Sequence, residues 1–546
     1  MILRLYRHLF MLAGCLLALL VARADVADFI GDDIVQTQIE RQYRDLNYSG
    51  KITPDFAPFA AQLDALDAAW LARVEALVAD ATVPQIAAHF ASGALSSVDL
   101  TLYYLHRIRA LDVDRYNSVL RVNPSALEMA ARADAERETA DAALNVMHGI
   151  PVLLKDNIGT GDDMPTSAGA LALADSYAGR DAFIVARLRE AGAVILGKNN
   201  LSEWANFMTF ASANGFSVLG GQTRNAYGRF DVGGSSSGSA VSVALNLAMV
   251  SVGTETSGSL TYPASQNSVA TFKPSIGLVS RDHIIPISSA QDSAGPMARN
   301  MTDLAHLLDV LAADDPDDPA SSDVAPLFDV RFADVLDADA LRGVRVAMVA
   351  YDEPYRDGDD AIRQDVIERL RMAGAEVVEI APLPYPVDMF RVLFYGFHSG
   401  VNDYLRAVDA PQRTLADVVA FNAADATNRA PHGQSILEAS LQFEINPTMA
   451  AHYAENVAHN RAVTRDIIGA ALADNDARLL IDLSNYSTAV YASAGTPALN
   501  IPAGYRADGE PLGVTLMGDW LDDAFLISAG YALEQVAPVR RPPPLD

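Results

Sequence analysis

Three stretches of this 546-residue chain repeat one rhythm, a helix-patterned segment followed by a short apolar run: 182–200 (AFIVARLREAGAVILGKNN), 239–255 (SAVSVALNLAMVSVGTE) and 361–380 (AIRQDVIERLRMAGAEVVEI). A fourth apolar run, GIPVLLKDNI, spans 149–158. Runs this apolar do not alternate inside and outside; they read as strands buried on both faces, the signature of a sheet covered by helices. The pattern predicts an α/β fold, a large mixed β-sheet with helices on both faces. Upstream, 25–80 reads as a polar-faced helical segment. The run SSVDLTLYYLHRIRAL then predicts a helix capped by Ser96 or Ser97.

The first 24 residues follow another logic. Arg4 and Arg7 precede the apolar LFMLAGCLLALLV, and the small-residue pattern ARA ends at Ala24. Charged, apolar, then cleavable is the order of an export signal, and the apolar run falls short of the ~20 residues a membrane span needs. The expected location is periplasmic or secreted, without stable membrane insertion once the segment is removed. A lipid anchor at Cys15 is the minor alternative. Cys15 is the sole cysteine, so a processed chain has no disulfide, thiolate nucleophile or cysteine-held metal. Net charge is −29 before processing, which argues against a nucleic-acid partner, since that needs a basic face.

Several motifs fail on context. Gly192 to Lys198 spaces its residues like a phosphate loop, but Asn199 stands where that loop requires Ser or Thr, and the intervening residues are strand formers. Gly234-Ser-Ser-Ser-Gly238 matches a nucleophile elbow centred on Ser236, yet no strand leads into it. The ten histidines show no metal-binding spacing. The acidic stretch 313–323 lacks the regular spacing and glycine of a calcium loop and reads as a solvated connector.

Two Ser/Gly turns remain, one holding Ser235 and the other Ser259 within GTETSGSL. A helix and a returning strand between them can bring the turns together. Successive backbone N–H groups in such a glycine-containing loop form a nest for developing negative charge. Lys155 ends an apolar strand, and alternation points its neighbour Asp156 to the opposite face. Buried without a carboxylate partner, the lysine would lose affinity for its proton and become a competent base. A lysine reaching to the surface is the alternative.

Together GIPVLLKDN, GGSSSGSA and GTETSGSL, followed by YPASQNSVATFKPSIGLVSR and SAQDSAGPMAR, resemble the amidase signature family. The resemblance begins near residue 84, continues to GTPALNIPAGY and GEPLGVTLMG, and is strongest to bacterial peptide amidases, with RTLADVVAFN adding to it. It implies a catalytic domain over 81–546 with a variable insert around 310–480. It further implies a Ser-Ser-Lys triad: Ser259 as acyl-forming nucleophile, Ser235 (after a non-proline cis peptide bond) as bridge, Lys155 as terminal base. The backbone N–H groups of Thr256, Ser257, Gly258 and Ser259 would form the oxyanion hole. No metal or organic cofactor is implied. The substrate would be a small-molecule or peptide amide, such as a C-terminal peptide amide, with other linear or aryl amides as alternatives. Glu255, Ser257 and Thr261 depart from residues common in the family, which bears on substrate preference. Pocket-lining loops are expected near 205–216 and 385–450, with FRVLFYGF and YLRAV reading more as core than as pocket wall. A non-catalytic binding protein on this fold would be marked by loss of Lys155, Ser235 or Ser259, and all three are present.

Overall fold

The computed structural model describes residues 32–352 and 354–545. The expected export signal and Cys15 lie outside these residues. Among the described residues no helix is long and apolar enough to cross a membrane.

Among the described residues the strands are β1 (Val119–Val122), β2 (Pro151–Lys155), β3 (Val194–Asn199), β4 (Phe216–Ser217), β5 (Gly221–Gln222), β6 (Val250–Glu255), β7 (Ala270–Lys273), β8 (Ser293–Ala298), β9 (Arg345–Val349), β10 (Glu376–Ile380), β11 (Leu479–Leu483), β12 (Ala498–Tyr505) and β13 (Pro511–Met517). Strands β4 and β5 form a separate hairpin, and the other eleven form one sheet in the order β1-β3-β2-β6-β8-β7-β12-β13-β11-β9-β10. Its pairings are mixed: β2 runs parallel to β3 and β6, whereas β6 and β8 are antiparallel. Each repeat seen in the sequence forms as expected, with helices Phe183–Glu190, Ser237–Ala244 and Asp359–Met372 leading to β3, β6 and β10. The first is stopped at Gly192 (φ +78°), where a Cβ would lie 2.0 Å from His148 Nδ1, so only glycine fits.

Both faces of the sheet are covered, as strand alternation shows. Val346 and Met348 of β9 join the main core, while Ala347 packs on the opposite face with Leu480, Val490 and Tyr491. Ser96 caps the helix Ser97–Arg107 by accepting from Asp99 N.

The segment 25–80 is only partly helical. Helices Asp32–Gln42, Ala60–Asp64 and Ala68–Val78 form, but 43–56 carries no helix, and Ile52 N donates to Leu219 O at 2.8 Å. Asn47, Gly50 and Pro54 explain why: each disfavours a helix interior. Phe59, Leu63, Val74 and Val78 enter the main core, so this stretch packs into the same body as the sheet. Residues 389–474 supply helices Met389–Ala407, Leu415–Ala423 and Pro447–Asp474, and Phe397, Val401 and Leu405 pack against Trp204 and Phe207.

The acidic stretch 313–323 is not a solvated connector. Asp315 and Asp318 are 3% and 5% exposed. Asp318 pairs with Arg281 and Asp315 accepts from Ser280 Oγ, so two carboxylates that look solvated in the sequence pin the 280–282 loop.

Candidate active site

The parallel pairing of β2 with β6 sets the site. Lys155 follows the Leu154–Val252 register pair, which puts its side chain beside the end of β6. Lys155 is fully buried, and its Nζ donates to Ser235 Oγ (2.8 Å), Thr254 O (3.0 Å) and Thr254 Oγ1 (2.9 Å). Asn157 Nδ2 also donates to Thr254 Oγ1 at 3.0 Å. Among the described residues, no carboxylate is a hydrogen-bond partner of this lysine. Burial therefore dominates and pushes Lys155 down to about 7, against the opposing pull of Glu255 and Asp292. Asp156 turns to the other face, as alternation requires, where it accepts from Ser167 Oγ, Ser167 N and Gly169 N.

Ser235 sits in the turn before the helix Ser237–Ala244, and the Gly234–Ser235 peptide bond is cis. The turn is held from both sides. Buried Asp231 accepts from Gly233 N (3.0 Å), Tyr262 OH (2.7 Å) and Asn214 Nδ2 (3.1 Å), and Ser202 N donates to Ser235 O at 3.1 Å. Ser236 N donates to Ser259 O at 3.1 Å, which joins the two Ser/Gly turns directly. Ser235 is fully buried and Ser259 is 8% exposed.

Ser236 has a different task. Its Oγ donates to Thr254 O (2.9 Å) and accepts from Thr254 N (3.2 Å), fastening the turn to β6. It is fully buried and no strand precedes it, which removes the elbow reading. Gly197 and Lys198 lie within β3, and Lys198 Nζ donates to Ile158 O and Thr166 Oγ1, so there is no phosphate loop here. His148, His283 and His398 bond backbone carbonyls rather than either serine turn.

The loop after β6 is shaped by Glu255. Its Oε2 accepts from Leu260 N (2.7 Å) and Thr261 N (3.0 Å), closing the chain on itself, and Thr261 Oγ1 bonds Tyr491 OH at 2.8 Å. Gly258 has φ +81°, and a Cβ there would come within 2.9 Å of Asn485 Nδ2. Among the described residues, the amide groups of Thr256, Ser257, Gly258 and Ser259 donate to no protein acceptor. Four unspent donors in one tight loop beside a serine suit an oxyanion. Asp292 steadies the loop's first residue: its Oδ1 accepts from Thr256 Oγ1 at 2.5 Å, and its Oδ2 from Ile287 N and Ser288 N at 2.9 Å. Burial pushes Asp292 up to about 6.

A cavity of about 250 Å³ opens against Thr254–Thr256, walled by Ile285, Ile287, Asp317 and Tyr404 among others. Ala205, Gly400 and Tyr404 fall within the two stretches expected to line a pocket, but Gly400 and Tyr404 sit on the helix Met389–Ala407 rather than on a loop. Tyr404 both packs in the insert's core and faces this cavity. The main wall was not anticipated: it is 281–293 with 317–319, held by the Arg281–Asp318 pair. The sequence motifs YPASQNSVATFKPSIGLVSR and SAQDSAGPMAR overlap the two ends of this wall but give it no role. No group of three or more His, Cys, Asp or Glu side chains among the described residues could hold a metal ion.

The amidase family profile matches residues 99–477. A probable amidase of Arabidopsis thaliana is 37% identical over 484 residues, covering 85% of this chain and 92% of the relative. An amidase family protein from Bacillus anthracis superposes with a TM-score of 0.85 at 35% identity, covering 93% of this chain and 98% of the other. The peptide amidase of Stenotrophomonas maltophilia gives a TM-score of 0.80 at 40% identity, covering 86% and 99%. With sequence, architecture and site in agreement, the chain belongs to the amidase signature family of amide-hydrolysing enzymes.

Proposed function

We propose that the chain hydrolyses C-terminal peptide amides through a Ser259–Ser235–Lys155 relay and an acyl-enzyme. The observation that carries this reading is the 2.8 Å hydrogen bond from a fully buried Lys155 to Ser235, with no carboxylate bonded to the amine. A lysine near pKa 7 is neutral in a large fraction at neutral pH and accepts a proton readily.

In this reading Ser259 Oγ attacks the amide carbon while its proton passes to Ser235, whose own proton passes to Lys155. The oxyanion develops against the free N–H groups of Thr256–Ser259, where each donor of this kind lowers the barrier by about 3 kcal/mol. The protons return along the relay to the leaving nitrogen, and ammonia departs. Water then attacks the ester by the same relay, and the carboxylic acid leaves with Ser259 restored. The neutral base matters because a charged lysine could not accept the proton.

The likeness to a peptide amidase supports the substrate class, and the acidic chain with its leader-like first 24 residues supports an exported enzyme that does not meet nucleic acid. Ammonia release from a C-terminally amidated peptide, measured beside an aryl acylamide and a linear aliphatic amide, tests the assignment. Turnover of the amidated peptide with the highest kcat/KM supports it; turnover of only the other two refutes the peptide-amide reading and leaves the relay to be judged on its own.

A further inference from the structure

At the opposite end of β8 from the catalytic cleft lies a second cavity, of about 390 Å³. Ser293, where β8 begins, borders the first cavity; Arg299, just past its end, borders the second. Arg369 and Arg540 also wall it, from the helix Asp359–Met372 and from the tail after the last helix. Three guanidinium groups around one cavity are unexpected in a chain of net charge −29.

Each guanidinium is anchored by one N–H on a backbone carbonyl. Arg299 Nη1 donates to Ala79 O (2.6 Å), Arg369 Nη2 to Ala503 O (2.6 Å) and Arg540 Nη2 to Ala244 O (3.0 Å). Arg369 also pairs with Asp365 at 3.0 Å. Arg299 and Arg540 have no ion pair among the described residues, and the buried Nε of each has no hydrogen-bond partner. Burial lowers the proton affinity of Arg540, the neighbouring Arg299 lowers it further, and Asp80 opposes them. Two carboxylates also wall the cavity: burial pushes Glu534 up to about 7, so at neutral pH it offsets the arginines only in part, and Asp80 is exposed. Buried guanidinium donors are almost always matched by an oxyanion or a carbonyl, and the protein supplies neither to the two Nε groups.

We propose that this cavity binds a small multivalent oxyanion, carrying phosphate or carboxylate groups, between Arg299, Arg369 and Arg540. Bidentate recognition of such oxygens is what the guanidinium fork does best. The site is separate from the relay and does not depend on it.

Titration calorimetry of the full chain with inorganic phosphate, and separately with citrate, at constant ionic strength set by sodium chloride, tests the proposal and tells phosphate from carboxylate chemistry. The expected result is saturable one-to-one binding of at least one of the two. Arg540→Gln should weaken it at least tenfold. Gln535→Glu, an exposed cavity-wall change that leaves all three arginines in place, should weaken it severalfold without altering the far-ultraviolet circular dichroism. Absence of saturable binding for both probes would overturn the proposal, as would an unchanged affinity in both variants.

Discussion

Replacing Lys155 by Met should abolish turnover and also change how stability depends on pH. Burial brings this lysine from its ordinary 10.5 to about 7 in the folded chain. Between those values the unfolded chain binds more protons than the folded one, so folded-state stability rises with pH across the window. The destabilisation is therefore largest at and below pH 7. Linkage puts it at about 4.5 kcal/mol at pH 7 and about 3 kcal/mol at pH 8.5. Methionine removes the whole titration. The hydrogen bonds lost from Ser235 and Thr254 add a cost, but one that does not vary with pH over this range. Lys198 and Lys273, both pushed down to about 8, titrate in both proteins and cancel. Equilibrium urea unfolding of wild type and Lys155→Met at pH 7 and 8.5 reads the difference. The variant's stability relative to wild type should be about 1.5 kcal/mol more favourable at pH 7 than at pH 8.5. A difference that does not change with pH would refute the displaced lysine.

The same titration sets activity: kcat/KM should fall about tenfold per pH unit below pH 7 and level off above it, because only the neutral amine accepts a proton. Ser236→Ala should cost about 1–2 kcal/mol of stability, from its two bonds to Thr254, while ammonia release stays within about tenfold of wild type. Glu255→Gln should lower kcat on the order of 100-fold with a near-native melting temperature, since it weakens the bonds from Leu260 N and Thr261 N that shape the oxyanion loop. Asp318→Asn should destabilise by about 3 kcal/mol, measured by calorimetry, because it leaves the Arg281 guanidinium largely buried and unpaired.

The sheet was legible because it rests on local pattern, whereas the roles given to Lys155, Ser235 and Ser259 rest on the resemblance to the amidase signature family. A run such as PVLLK can only be a doubly buried strand here, and its alternation alone separates Lys155 from Asp156. The contact between the two Ser/Gly turns was also foreseeable, as the helix and strand between them are short and antiparallel in course. What stayed hidden depends on partners distant in sequence. Asp315 and Asp318 look like solvated acids until the 280–282 loop is seen to supply Ser280 and Arg281. The cleft wall at 281–293 has no periodic pattern, because loop residues gain their roles from what folds over them. Tyr404 was ambiguous for a physical reason: one side of its ring packs in a core while another lines the cavity. The break at 43–56 could have been read from Asn47, Gly50 and Pro54, whose conformational preferences outweigh the surrounding helical pattern.

The relay stands or falls on which atom carries the acyl group. Rapid acid quench during turnover of an amidated peptide, followed by digestion and mass spectrometry, locates that atom directly. The account predicts an acyl adduct on the peptide containing Ser259, absent from Ser259→Ala and accumulating to less than a tenth of that level in Lys155→Met. An adduct on Ser235 or Ser236, or one that persists when Ser259 is alanine, would contradict it.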